Sequence, residues 1–347
     1  MIKDELQKTY YKALIDRDSN FEGVFFVGIT TTGIFCRPTC SARKPKFEHC
    51  EFFQSASEAL HASYRPCKRC RPLSHPNVAT PLIQELVEAV EKEPEKRWTN
   101  GDLESLNIDA STARRQFQKR FGMTFVQYAR ARRMGLAMKM IRKGEPVIDA
   151  QLATGYESDS GFRDAFSQIM GAPPSKSKEV KVFHSAWIDS PLGPMLAIAD
   201  MQALYLLEFV DRRGLEKEIE RLRKRTNGKI LPGETEPIRS IKKELSLYFE
   251  KKRWTFNTPI QMMGTPFQKR VWEELCRIPS GETRSYLDIA KAVGKPTGSR
   301  AVAQANGSNQ LAIIIPCHRV INSSGELGGY GGGLHRKQWM LDHEGRQ

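Results

Sequence analysis

Four cysteines fall in two close pairs, Cys36-x3-Cys40 and Cys67-x2-Cys70, with 26 residues between the pairs. Any fold of this segment has to bring both pairs to one point. Two pairs separated by a loop suit a tetrahedral zinc ion, each pair supplying two thiolates to one face. Cys50 lies between the pairs and is not expected as a ligand; His49 and His61 are in range, but an all-cysteine site is the simpler assignment. The opening Met1-Ile2-Lys3-Asp4-Glu5 carries acid and lacks the apolar stretch of a signal peptide, and no apolar run approaches membrane-spanning length. A reducing, cytosolic setting is therefore expected, in which close cysteines read as metal or catalytic sites before disulfides. The surroundings are basic: Arg37, Arg43, Lys44, Lys46, Arg65, Lys68, Arg69 and Arg71. Zinc with four thiolates carries about −2, which this shell offsets, and the same shell, Arg43 and Arg65 included, could hold phosphate.

A chain of 347 residues suits two to four domains better than one core. Composition shifts place boundaries at Arg71–Pro76 and Gly171–Lys178, with a weaker break near Asn257–Pro259. The net charge of +14 points to a polyanion as partner. The excess concentrates between Ser111 and Gly144, where no Asp or Glu interrupts the Arg and Lys residues. Leu103–Asp109 followed by Ser111–Phe121 reads as helix, turn, helix, with Asp109 or Ser111 as cap and Gly122 as stop. A second unit runs Asp149–Tyr156 and then Ser158–Met170, ending at Gly171. Exposed candidates for DNA contact are Thr112, Arg115, Gln116 and Lys119 in the first unit and Asp159, Ser160 and Arg163 in the second; Phe117, Phe121, Phe162 and Phe166 belong in the core.

Beyond Val182 the pattern becomes α/β. Strands are expected at Phe183–Ile188, Met195–Ala199 and Leu204–Val210, helices at Glu216–Arg225 and Pro237–Phe249, and mostly helix after Pro266. The apolar run Ile313–Ile315 reads as a buried strand leading into Pro316-Cys317-His318-Arg319. A thiol flanked by imidazole and guanidinium is favoured as the nucleophilic thiolate. Cys276 has no such context and reads as a core residue.

Three resemblances accompany these patterns. Ile315-Pro316-Cys317-His318-Arg319-Val320, with Thr265–Trp272, Ile278–Tyr286, Gly294–Val302, Ser308-Asn309, Gly325–Gly333 and His343-Glu344-Gly345, resembles the O6-alkylguanine-DNA methyltransferases. Thr32–Cys40 and Arg65–Cys70 are similar to the N-terminal domain of the Ada adaptive-response family, and the paired helical units resemble the AraC-type regulators. The order of all three matches the Ada architecture. The resemblance implies a multidomain α/β chain: a small zinc-bound α+β domain (1–75), an all-α AraC-type double helix-turn-helix domain (80–178), an α/β RNase H-like subdomain (182–260) and a helical, winged-helix-like catalytic domain (262–347).

By the same resemblance, Cys317 accepts the alkyl group of O6-methylguanine or O4-methylthymine. His318 is its base and Glu344 the orienter, Asn309 braces the turn, and Tyr286 bonds the guanine ring. Arg300 fills the gap left by the flipped nucleotide; Tyr330 and the neighbouring glycines wall the base pocket, their number suggesting a loose one. Cys36, with Cys40, Cys67 and Cys70 as fellow zinc ligands, would take a methyl from DNA phosphotriesters and so switch on transcription. The implied partners are double-stranded DNA and RNA polymerase, the implied state a monomer in the bacterial cytosol, and the only implied cofactor one zinc ion. The alternative is mainly a transcription regulator with weak methyltransferase activity.

Overall fold

The computed structural model describes residues 4–18, 21, 24–53, 58–59, 62–70, 72, 79–177, 180–212 and 214–345. Most of the expected linker Arg71–Pro76 lies outside them. Helix α1 (Asp4–Asp16) covers a sheet of β1 (Phe26–Ile29), β2 (Ile34–Cys36), β3 (Cys50–Phe53) and β4 (Arg65–Pro66), ordered β3-β1-β2-β4. Only β2 and β4 run parallel, and this pairing is what delivers Cys67 beside Cys36. Tyr10 stacks on Phe25 with ring centroids 4.3 Å apart, closing the small core over the buried sulfurs.

The helical region starts with α2 (Pro81–Lys92). Its first helix-turn-helix unit is α3 (Asn100–Ser105) and α4 (Ala110–Phe121). Asp109 is the cap of α4, accepting from the Thr112 N–H at 2.7 Å, and Gly122 ends it at φ +70°, a left-handed position that suits glycine. Helix α5 (Phe125–Arg142) links to the second unit, α6 (Val147–Ala153) and α7 (Asp159–Met170), which stops at Gly171 with φ +75°. Phe117, Phe162 and Phe166 are fully buried, and Phe121 packs half-buried against the first unit's core.

The next layer is a sheet ordered β7-β6-β5-β8, built from β5 (Val182–Ile188), β6 (Met195–Ala199), β7 (Leu204–Phe209) and β8 (Lys229–Pro232); β5 and β8 are parallel, the rest antiparallel. Helices α8 (Leu215–Thr226) and α9 (Glu236–Phe249) accompany it. The last part holds α10 (Pro266–Leu275), α11 (Tyr286–Ala292), α12 (Ser299–Gly307) and α13 (Leu334–Gly345), with a two-stranded parallel wing of β9 (Arg284–Ser285) and β10 (Val320–Ile321). One apolar core joins this part to β6, β7 and α9.

Two expectations are corrected. Ile313–Ile315 is no strand: only Leu311 bridges to Leu207, and the chain then turns tightly, with Ile313 at φ +72° and Ile315 N–H bonded back to Leu311 O at 2.9 Å. The Asn309 amide takes Ile315 O at 2.9 Å while its carbonyl accepts from Leu311 N–H, so a side chain replaces the sheet partner that a strand would need. Cys276 is exposed rather than core, because it caps the outer end of α10 where the helix leaves the packed face.

Candidate functional site

Cys317 opens a short 3-10 turn, Cys317–Arg319, directly after the strained Ile313 corner. The thiol is 6% exposed, and Asn309 Nδ2 donates to its sulfur at 3.1 Å. Asn306, on α12, holds Cys317 O at 3.2 Å. Burial pushes the thiol up to about 11, the Asn309 bond pulling the other way. Ionisation therefore needs a proton acceptor. His318 is fully buried; its Nε2 bonds Glu344 Oε1 at 2.9 Å, and its Nδ1 has no hydrogen-bond partner within the described residues. Burial lowers the imidazole's proton affinity, so the ring is neutral at neutral pH. With Nε2–H given to Glu344, Nδ1 is the free acceptor.

Glu344 is more heavily engaged than the sequence reading provides for. It accepts Arg319 Nε at 2.7 Å, Arg319 Nη2 at 3.1 Å and the Tyr248 hydroxyl at 3.0 Å. Neither Arg319 nor Tyr248 was expected in this network. Arg319 was visible as the residue after His318; Tyr248 had no local signal, since it arrives from α9, 96 residues upstream. Lys337 was missed likewise: fully buried, it donates to Val320 O and Gly328 O, fastening the loop before α13.

Beside Cys317 lies a recess of about 20 Å³, lined by Asn309, Tyr330 and Gly329–Gly332 among others. That volume holds roughly one water. Gly328, Gly331 and Gly332 serve close approach, whereas a Cβ on Gly329 would meet nothing within 4 Å. A Cβ on Gly328 would sit 2.6 Å from the Tyr286 hydroxyl, and one on Gly332 would sit 3.0 Å from the Phe209 ring. Tyr286 is half-buried at the start of α11, and Arg300 is exposed at the start of α12.

In the N-terminal domain the Sγ atoms of Cys36, Cys40, Cys67 and Cys70 lie within 4.8 Å of one another. Tetrahedral zinc at about 2.3 Å from each sulfur needs them roughly 3.8 Å apart, so the set fits the ion with small closure. Hydrogen bonds to Cys40 and Cys70, then burial, push the Cys36 thiol upward, so a cation is what would hold it as thiolate. Cys50 stays out of the cluster, its thiol turned to Lys46 O. Arg43 and Arg65 are exposed nearby.

On the helical region Arg115 is exposed. Gln116 is not: it is half-buried, its Oε1 bonded by the Thr80 hydroxyl at the cap of α2, because that helix crosses the inner side of α4. Lys119 lies on α4, and its side chain falls outside the described residues. Arg163 is exposed and paired with Asp159, Nε to Oδ1 3.0 Å, with exposed Glu157 and Asp164 beside them.

Four families match successive stretches: the metal binding domain of Ada (9–72), a helix-turn-helix domain (103–179), and the 6-O-methylguanine DNA methyltransferase ribonuclease-like domain (184–262) and DNA binding domain (266–346). Fold, cysteine sites and these matches define a methylated-DNA–protein-cysteine methyltransferase fused to a zinc domain and a helix-turn-helix domain. The chain is 32% identical to the bifunctional transcriptional activator/DNA repair enzyme Ada of Escherichia coli, over 96% of this chain and 95% of that one, and 31% identical to the regulatory protein ada of Salmonella typhimurium, over 95% and 94%. It belongs to the Ada family. Its last part is also similar to the Mycobacterium tuberculosis OGT solved in complex with DNA, at 39% identity, covering 47% of this chain and 92% of that one with a TM-score of 0.41.

Proposed function

We propose that this chain repairs alkylated double-stranded DNA by irreversible methyl transfer, from O6-methylguanine and O4-methylthymine to Cys317 and from methylphosphotriesters to Cys36. The second transfer turns the protein into an activator of alkylation-response genes, working with RNA polymerase as a monomer in the bacterial cytosol. No helix is long and apolar enough to cross a membrane among the described residues.

The observation that carries the first half is the buried Cys317 thiol followed directly in the chain by the His318–Glu344 pair, beside a recess lined by Tyr330. The Cys317 thiol gives its proton to His318 Nδ1 through one water; the resulting imidazolium is held by Glu344. The sulfur then forms an S–CH3 bond as the CH3–O6 bond breaks, and the electron pair leaves with the guanine. Tyr286 bonds the ring and eases its departure. Because the resting recess holds only about a water, a flipped base enters when the Gly328–Gly333 wall moves outward, while Arg300 takes the vacated place in the stack.

Cys36, Cys40, Cys67 and Cys70 would hold the zinc ion, which would keep the Cys36 sulfur deprotonated. Cys36 then forms S–CH3 as the phosphotriester's O–CH3 bond breaks, the pair remaining on the phosphate oxygen. The domain loses one negative charge, repulsion toward DNA phosphate falls, and Arg43, Arg65 and the Arg115 face of α4 bind more tightly. Lys119 and Arg163 complete the proposed contact set; Gln116, tied to Thr80, supports α4 from inside.

Intact-mass spectrometry with peptide mapping tests this, after incubation with duplex carrying methylated guanine and methylated phosphates. Methyl on both Cys36 and Cys317 is expected. Methyl on Cys317 alone would remove the switch. Methyl on neither would leave a regulator on a repair scaffold.

A further inference from the structure

The recess beside Cys317 has a charged floor. Glu208, near the end of β7, and Arg212, three residues past the strand, both line it. Their side chains are 5% and 7% exposed, and Arg212 Nε lies 3.0 Å from Glu208 Oε2. Arg212 Nη2 also donates to Gly307 O at 2.8 Å, at the end of α12. A Cβ on Gly331 would come within 2.7 Å of Arg212 Nε, so the glycine wall lies directly on the guanidinium. Arg212 Nε and Nη1 are buried and make no hydrogen bond among the described residues, so the contact with Glu208 is one of charge alone. An ion pair this deep costs more desolvation than its attraction usually returns, and apolar residues of similar size would fill the space as well.

We propose that Glu208 and Arg212 are positioning residues that set how readily Cys317 ionises, the guanidinium favouring the thiolate and the carboxylate opposing it. The inference rests on the reading of Cys317 as the methyl acceptor. The other groups facing the sulfur are Lys337 from α13, Tyr286 from α11, Tyr330 from the glycine wall, and His318 with Arg319 and Glu344 behind it. The floor pair sets a cationic and an acidic side chain side by side on the recess lining. Burial pushes the Glu208 carboxyl up to about 7 against the pull of Arg212. Near neutrality it is close to taking a proton, which leaves the guanidinium facing the sulfur uncompensated.

The test uses full-length protein, wild type and the variants Glu208→Gln, Arg212→Gln and Arg212→Lys, each checked for folding by thermal melt. Methyl iodide serves as a small DNA-independent donor: S–CH3 forms, C–I breaks, iodide leaves and the thiol proton goes to buffer. Peptide-resolved mass spectrometry follows the Cys317 rate against pH. Glu208→Gln should move the midpoint down by about one pH unit, Arg212→Gln should move it up, and Arg212→Lys should stay near wild type. Unmoved midpoints, or shifts of one sign in all variants, would overturn the proposal and leave the pair a clamp on Gly307. If Arg212→Gln does not fold, the other two profiles decide. A parallel single-turnover reaction with O6-methylguanine duplex separates the two ideas. Opposite shifts without transfer from DNA would keep the pair and sink the repair reading.

Discussion

Glu344 sits at the convergence of three donors, and its ionisation shows how they act. Burial alone would raise its carboxyl above the ordinary 4.5; the bonds from His318 and then Arg319 outweigh burial and hold it at about 2. A folded value below the unfolded one means a stabilising contribution that is complete above the ordinary carboxylate range. It is lost as pH falls from about 5 toward 2. Glu344→Gln should therefore flatten the acid limb of the stability curve, measured by denaturant melts between pH 7 and 3; an unchanged slope would show that other carboxylates govern it. Tyr248→Phe removes one neutral donor from the same carboxylate. A loss of about 1 kcal/mol in urea unfolding is expected, with slower transfer to Cys317 in single-turnover assays. The Cys317, His318 and Glu344 positions were legible because each lies in a short motif. Tyr248 and Lys337 were not, because a buried Tyr or Lys carries no mark in its own neighbourhood of the partner it will meet; Glu208 has Arg212 four residues on, but nothing local shows that the pair comes to line the Cys317 recess.

Asp109 shows what local chemistry settles among the elements. It accepts from Thr112 N–H and from the Ser111 hydroxyl at 2.6 Å, and these bonds to Ser111 and Thr112 lower its carboxyl to about 2. Asp109→Ala should lower the stability of the helical region, read as a downward shift in its thermal transition. Caps and glycine stops were correctly anticipated because the groups that satisfy a helix end lie within three or four residues of it. The run Ile313–Ile315 misled for the opposite reason. Ile313 and Ile315 are buried as expected and Ile314 half-buried, but Asn309 supplies the bonds that a neighbouring strand would have supplied, and Ile313 is driven to φ +72°. Such a backbone costs on the order of 1–3 kcal/mol, sustained here by the packing of Leu311–Ile315 in the shared core.

The helical region and the ribonuclease-like sheet are packed together. Arg120, at the end of α4, pairs with Asp189 at 3.0 Å and lies 4.6 Å from the centroid of the Trp187 ring, while Phe121 meets the same tryptophan edge-on. Met134, Ala137 and Met138 of α5 share a core with Val182 and Leu231 of the sheet. Arg120→Ala should separate the unfolding transitions of the two regions in calorimetry, which in the wild type should overlap. Zinc removal acts elsewhere. The N-terminal core is small and closes over the four sulfurs, so a strong chelator should melt residues 4–70 while the later transitions keep their midpoints. A single cooperative collapse on chelation would contradict that independence.

Four cysteines in two pairs, a Cys-His dipeptide after an apolar run, alternating strands and capped helices were all readable because each depends on residues close in the chain. They were sufficient for the four-cysteine cluster, the order of the matched stretches and the proposed acceptor Cys317. Which carboxylate and which guanidinium come to face that nucleophile was decided by folding. Glu208 and Tyr248 reach the Cys317 centre only after β7 and α9 pack against the last helices. Burial sets the chemistry of both, and Tyr248 meets Glu344 from 96 residues away, so neither environment exists until the chain has closed on itself.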